Sequence, residues 1–246
     1  MANYLILFSP TGGTEKCANI LAKGLFDTWE VIDLTLPCQN VTLHTGDLSI
    51  VAVPSFGGRI PPLAANRLRA IQGNDAKAVL LCVYGNRAYE DTLVELQDIL
   101  EADGFSCVAA VAALAEHSIM HAFAANRPDP EDERILTGYA SAIREKLSSG
   151  NTKLTLPGNR PYKDYKVASM IPLTGDNCSN CGICAQKCPA GAIIDGTIDP
   201  EKCISCMRCT AICPTGAKFV DPEKLAALVE RLKTALGGHK ENELFV

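Results

Sequence analysis

Eight cysteines between Cys178 and Cys213 constrain this chain more than any other feature. They read Cys178-x2-Cys181-x2-Cys184-x3-Cys188-Pro189 and, 25 positions later, Cys203-x2-Cys206-x2-Cys209-x3-Cys213-Pro214. Three thiolates at this spacing wrap three corners of a [4Fe–4S] cube. Each proline then turns the chain away, because it fixes φ and offers no N–H. Zinc needs only four ligands, usually as two separated pairs. Disulfides need an oxidising compartment, and Met1-Ala-Asn-Tyr4 runs into Leu5-Ile-Leu-Phe8 with no basic leader before it. The spacing therefore predicts two [4Fe–4S] clusters, and the start of the chain a cytoplasmic location.

At 246 residues the chain has room for one large domain or two ordinary ones. Apolar runs such as Val108 to Ala115 are too short to span a bilayer, so no membrane insertion is expected. The net charge of −5 is uneven, with about −7 on residues 1–150 and +3 on residues 151–175. No basic face is large enough for nucleic acid. The basic stretch is either a solvated linker or a segment that docks on the acidic part of the chain or on a partner.

Over residues 1–150 short apolar runs alternate with helical patterns. Strands are predicted at Tyr4–Phe8, Glu30–Leu34, Leu48–Val53, Ala78–Tyr84 and Ser106–Ala112. Helices are predicted at Thr14–Phe26, Pro62–Ile71, Tyr89–Asp103 and Pro130–Leu147, the last capped by Asp129 with proline at its first position. This alternation implies a doubly wound α/β domain with a five-stranded parallel sheet, which binds ligands at the C-terminal ends of its strands. The loop after the first strand, Ser9-Pro10-Thr11-Gly12-Gly13-Thr14, opens a helix with free N–H groups and hydroxyls suited to a phosphate. It has no Gly-Lys-[Ser/Thr], and no G-x-G-x-x-G follows any strand.

That loop resembles the phosphate loop of flavodoxins, Ser/Thr-x-Thr-Gly-x-Thr, which holds the phosphate of FMN. Two more loops fall where that family flanks its flavin: Pro54-Ser55-Phe56-Gly57-Gly58-Arg59 and Tyr84-Gly85-Asn86-Arg87-Ala88-Tyr89. The resemblance implies FMN held by Ser9, Thr11, Gly12, Gly13 and Thr14, with contacts from Ser55, Gly57, Gly58 and Tyr84. It implies that Phe56 and Tyr89 sandwich the ring, while Gly85 and Asn86 meet its polar edge. The chain departs from the family in having phenylalanine where tryptophan is common, and Gly58 and Arg59 where acids are frequent. Arg59 and Arg87 would then bring positive charge near the ring.

After the fifth strand, Glu116-His117 to His121 falls on the same rim. His117 is the candidate proton donor, with a structural histidine as the alternative. Cys17, Cys82 and Cys107 read as buried small hydrophobes, and Cys38 sits in a loop. Residues 151–175 form a connector with prolines and aromatics that suggest a packed segment.

Residues 176–221 repeat themselves and resemble bacterial 2[4Fe–4S] ferredoxins, small α+β domains in which the fourth ligand comes from the other arm. This implies one cluster on Cys178, Cys181, Cys184 and Cys213 and a second on Cys203, Cys206, Cys209 and Cys188. Ile183, Ile193, Ile194, Ile204, Ile212 and Phe219 are expected around the cubes. From Asp221 a capped helix carries the stripe Leu225, Leu228, Val229 and Leu232, to be buried on its own first domain or in a homodimer. The chain as a whole resembles the flavodoxin–ferredoxin fusion proteins of anaerobes. Three functions follow: electron transfer between clusters and FMN to a partner protein or small-molecule acceptor, flavin-dependent reduction of a small organic substrate, or a cluster-bearing adaptor without flavin.

Overall fold

The structure is a computed structural model describing residues 2–37, 40–150, 153–167 and 169–246; Cys38 lies outside the described residues. Five apolar runs form parallel strands: β1 (Asn3–Leu7), β2 (Glu30–Asp33), β3 (Leu48–Pro54), β4 (Lys77–Tyr84) and β5 (Ser106–Leu114). The helices between them are α1 (Gly13–Leu25), α2 (Pro62–Leu68), α3 (Thr92–Ala102) and α4 (Pro130–Ser149). Residues such as Ile50 to Val53 and Ala78 to Cys82 are fully buried in unbroken runs, because helices cover both sheet faces. Leu21, Leu136 and Ile143 of α1 and α4 pack on one face. Leu68, Leu93 and Leu96 of α2 and α3 pack on the other. The parallel strands run in the order β2-β1-β3-β4-β5, the flavodoxin-like doubly wound order, whose switch point lies between β1 and β3.

The cysteine-rich part is a small α+β module. Antiparallel pairs join β6 (Leu173–Thr174) to β9 (Lys218–Phe219), and β7 (Ile193–Ile194) to β8 (Thr197–Ile198). Two short helices, α5 (Ile183–Gln186) and α6 (Arg208–Ala211), carry ligand-type cysteines. The module's first strand begins at Leu173, ahead of residue 176. Its backbone repeats with its sequence. Asn180 and Ser205 are both left-handed (φ 52° each), as are Gly182 (74°) and Met207 (61°). Non-glycine residues held there cost of order 1–3 kcal/mol each, which surrounding contacts must offset.

The chain then returns to the sheet. Asp221 caps α7 (Pro222–Leu236), accepting from Glu223 N and Lys224 N. The apolar stripe of α7 is covered within the chain, where Leu228 and Leu236 pack with Met120, Met170 and Met207. Residues Glu243–Phe245 form β10, antiparallel on β5, so the sheet has six strands, one of them antiparallel, and not five. Three residues carry too little periodicity to announce a strand. Asn242 fixes this return: it accepts from Leu114 N (2.9 Å), donates to Asp132 Oδ1 (2.7 Å), and its carbonyl accepts from Tyr139 Oη (2.6 Å). Asp132 is wholly buried, where it also receives the Arg127 guanidinium and closes the capping box with Asp129. Burial drives its carboxyl upward, but these donors hold it below the ordinary range.

Cys17, Cys82 and Cys107 are buried apolar residues, and burial raises all three thiols. Among the described residues no helix is long and apolar enough to cross a membrane.

Asn242→Ala leaves the Leu114 N–H and Asp132 short of partners, at a cost of about 1–3 kcal/mol. Chemical unfolding should show a correspondingly lower midpoint, and brief proteolysis should release the segment after α7 first.

Candidate cofactor sites

A cavity of about 350 Å³ opens at the C-terminal rim of the sheet. Thr11, Gly13 and Thr14 line it from the loop after β1, Ser55, Phe56 and Gly57 from the loop after β3, and Tyr84, Gly85 and Arg87 from the end of β4. His117 and Met120 follow β5, and Leu228, Arg231, Leu232 and Leu236 of α7 close it from above. Ile204, Ser205 and Cys206 form the wall facing the cysteine module.

The loop after β1 enters α1 with open backbone donors. Among the described residues, nothing accepts from the backbone N–H groups of Thr11, Gly12 and Gly13, whereas Glu15 N bonds to Ser9 Oγ (2.9 Å) and Lys16 N to Gly12 O (2.9 Å). Ser9 and Gly12 thus shape the loop without lining the cavity. Ser55 lines it, its hydroxyl held by Thr92 Oγ1 at 2.8 Å.

Three expectations for the flanking loops need correction. Tyr89 does not line the cavity. It packs behind Tyr84, edge on, with ring centres 5.3 Å apart, and its hydroxyl pKa is raised by burial first and then by Glu243 of β10. Tyr84 is the aromatic that this loop presents. Asn86, buried and left-handed (φ 66°), donates instead to the carbonyls of Leu236 and Gly238 (3.0 Å), tying down the end of α7. Gly58 (φ 87°) serves the turn joining Phe56 to Arg59, where a Cβ would lie 1.8 Å from Glu90 Oε2. Gly85 does line the cavity, and its missing side chain lets His117 approach: a Cβ would stand 2.8 Å from His117 Cα.

His117 differs from the expected proton donor. Its Nδ1 accepts from Ile119 N (3.1 Å) and Met120 N (3.2 Å), which leaves the ring hydrogen on Nε2. Burial first, then the neighbouring His121 and Arg87, lower its pKa to about 4. Near pH 7 the ring is neutral and offers a hydrogen bond, not an acid's proton. Glu116 also lines the cavity, and its carboxylate pairs with His121 (2.7 Å).

The basic connector docks on the acidic domain. Asp91 accepts from Asn159 N (2.8 Å) and Lys163 N (2.7 Å), and Arg160 and Tyr162 meet Asp98. Arg59 is engaged too: it forms a two-pronged pair with Glu95 (2.7 and 2.8 Å) and lies 4.7 Å above the Tyr162 ring. Glu90 receives Arg87 and Lys163, and these cations lower its carboxyl to about 2. The strap so held brings Lys163, Lys166 and Val167 to the cavity wall.

The eight cysteines gather around two further cavities. Cys178, Cys181, Cys184 and Cys213 line an outer one of about 400 Å³, with Lys218. Cys188, Cys203, Cys206 and Cys209 line an inner one, with Ile193 and Arg208. The inner cavity is much the narrower, about 20 Å³, so its walls must part to take a cube. Among the described residues no three His, Cys, Asp or Glu side chains stand together closely enough for a single metal ion. Ile193 is buried, but Ile183, Ile194 and Phe219 are exposed, so the expected apolar shell is open on the outer side. Two arginines clamp the inner set to the sheet rim. Arg67 of α2 donates to Pro189 O (2.7 Å), and Arg208 donates to Pro10 O (3.1 Å).

Residues 197–219 match the 4Fe-4S binding domain family, a stretch containing Cys203, Cys206, Cys209 and Cys213. Among solved structures, the chain is similar to the flavodoxin of Streptococcus pneumonia TIGR4 (16% identity, 59% of this chain and 99% of that one, TM-score 0.41). It is similar also to rubredoxin oxygen:oxidoreductase from the anaerobe Desulfovibrio gigas (18% identity, 60% of this chain and 37% of that one, TM-score 0.38). A third likeness is to the flavodiiron protein from Giardia intestinalis (16% identity, 60% and 36%, TM-score 0.35). The chain spans little more than a third of the last two proteins. No curated protein matches it. Strand order and the cysteine segment thus give a flavodoxin-like doubly wound domain joined to a segment that matches the 4Fe-4S binding domain.

Because the folded state favours neutral His117, stability present above the unfolded pKa near 6.5 should be lost as pH falls through that value towards about 4. Thermal unfolding between pH 7 and 4 should show this loss, and His117→Asn should flatten it.

Proposed function

We propose that this chain is an electron-transfer flavoprotein carrying FMN in the rim cavity and two [4Fe–4S] clusters in its cysteine module. Residues 1–150 serve as the flavin domain and residues 176–221 as the cluster domain. The observation that carries this reading is a shared wall: Ile204, Ser205 and Cys206 line both the rim cavity and the inner cysteine cavity. A thiolate ligand of one centre would then stand against the other, and electron transfer needs such proximity.

The residues fit the groups. FMN's phosphate suits the free N–H groups of Thr11 to Gly13, and its ring suits a cavity walled by Phe56 and Tyr84. Arg87, Lys163, Lys166 and Arg231 line that cavity against one acid, Glu116, and favour an anionic ligand. Each cysteine set offers four soft ligands of the kind iron–sulfur clusters take. When bound, FMN supplies one- and two-electron storage and each cube one-electron exchange. The protein's part is to hold these centres together and keep water out. Met120, Met170 and Met207 pack with α7 into an apolar seal over the junction. Neutral His117 can donate from Nε2 to an acceptor in the cavity. The outer set lies where a redox partner can reach it, Cys181 being exposed among the solvent-facing Ile183, Leu173 and Phe219.

Anaerobically purified protein should contain bound FMN with eight irons and eight sulfides per chain. Phe56→Ala should weaken FMN binding by up to roughly tenfold through lost stacking, with iron content unchanged. Tyr89→Ala should lower stability by removing its packing on Tyr84, without removing a contact to the flavin ring. Eight irons with no flavin would instead make the chain a cluster-bearing adaptor. Turnover of small oxidants by the isolated protein would make it a reductase in its own right.

A further inference from the structure

The two halves of the cysteine module share ligand positions but not charges. At the 25-residue offset, Arg208 of the second half corresponds to Ile183 of the first, and Lys218 corresponds to Ile193. Arg208 lines the inner cavity and Lys218 the outer one. Lys218 is 3% exposed, and its ammonium is already satisfied by Thr174 Oγ1 and Gly196 O. Arg208 is different. Its Nη1 crosses to the carbonyl of Pro10, the residue before the free N–H groups of the phosphate-type loop. Its Nε is buried with no acceptor among the described residues. A buried N–H of a charged group is costly to leave unpaired, so an acceptor is expected there. Pro189 O, the nearby backbone acceptor beside Cys188, already receives Arg67.

We infer that Arg208 couples the two cofactor sites, its Nε–H serving a sulfur of the inner cluster while its Nη1 holds the phosphate loop through Pro10. The inference rests on the two-cluster, FMN-binding reading above. The acceptor class is the thiolate or sulfide of an iron–sulfur cube, soft and electron-rich, in the cavity that Arg208 lines. Hydrogen bonds to cluster sulfurs are a lever on reduction potential, since they favour the more negative, reduced form. The same guanidinium positions Pro10, so occupancy of one site bears on the other. Arg208 is therefore a positioning and tuning residue, and only this half of the module carries one.

The test uses the full chain, loaded anaerobically, with EPR-monitored redox titration and FMN binding measured on the same preparations. The inner wave is assigned as the one altered in Cys206→Ser, and the outer wave is the internal reference. Arg208→Met should make reduction of the inner cluster about tenfold less favourable, which is about 59 mV for one electron. The outer wave should move much less, and FMN affinity should fall by about tenfold with loss of the Pro10 contact. Arg208→Lys, which keeps the charge but not the fork, should recover part of the potential and little of the FMN affinity. A residue that merely docks the module would change stability or FMN affinity and leave the inner potential in place. That result, with eight irons retained, overturns the inference. A chain loading only four irons would defeat the two-cluster reading instead.

Discussion

The wall at Ile204, Ser205 and Cys206 has to serve two cavities at once, and much of the structure answers to that demand. One side presents Cys206 to the inner cysteine cavity, and the other closes the rim cavity. The backbone meets both needs by taking left-handed turns at Ser205 and Met207, on either side of Cys206. In the first half of the module the matching turns fall to Asn180 and Gly182, which adopt them cheaply. In the second half they fall to residues that resist them. The strain is offset by what those side chains do. Ser205 Oγ accepts from Met170 N at 3.1 Å, and Met207 is buried in the seal under α7. Glycine at 207 would relax the turn and remove one of the seal's three methionines.

Electrostatics organises the other side of the cavity. The acidic face of α3 and the turn before it, with Glu90, Asp91, Glu95 and Asp98, gathers the basic connector and Arg59. Exposed pairs of this kind contribute little singly. Here they recur along one strap and end on Asp91, which is 1% exposed and accepts backbone N–H groups. The outcome is positional: three strap residues reach the cavity, and Arg59 is withdrawn from it into its pair with Glu95.

How much of this was legible depends on how local each signal is. The grouping of the cysteines could be read because one short spacing is written twice, and the helix entry after β1 because glycine and hydroxyl residues follow an apolar run. Phe56 followed from its place after β3. The exchange of Tyr89 for Tyr84 was not legible: both aromatics stand near the same strand end, and only packing against β10 decides which one turns inward. Asn86 was misjudged for the same reason, since its partners lie at Leu236 and Gly238, far along the chain. His117 was placed correctly on the rim, but its proton affinity depends on burial and on neighbours brought by folding. The connector's charge contrasted with that of the first domain, yet charge alone does not separate a docked strap from a solvated one.

The antiparallel strand β10 has a further consequence. The connector before the cysteine module docks on Asp91 and Asp98, and α7 after it leads back to β10, so the module is tied to the first domain at both of its ends. A domain attached by one linker can swing, and its encounters with a neighbouring centre are then governed by diffusion. A module stitched in like this one has no such freedom. Its inner cysteines keep one address relative to the rim cavity, and the step left to chance is the arrival of whatever meets the outer face.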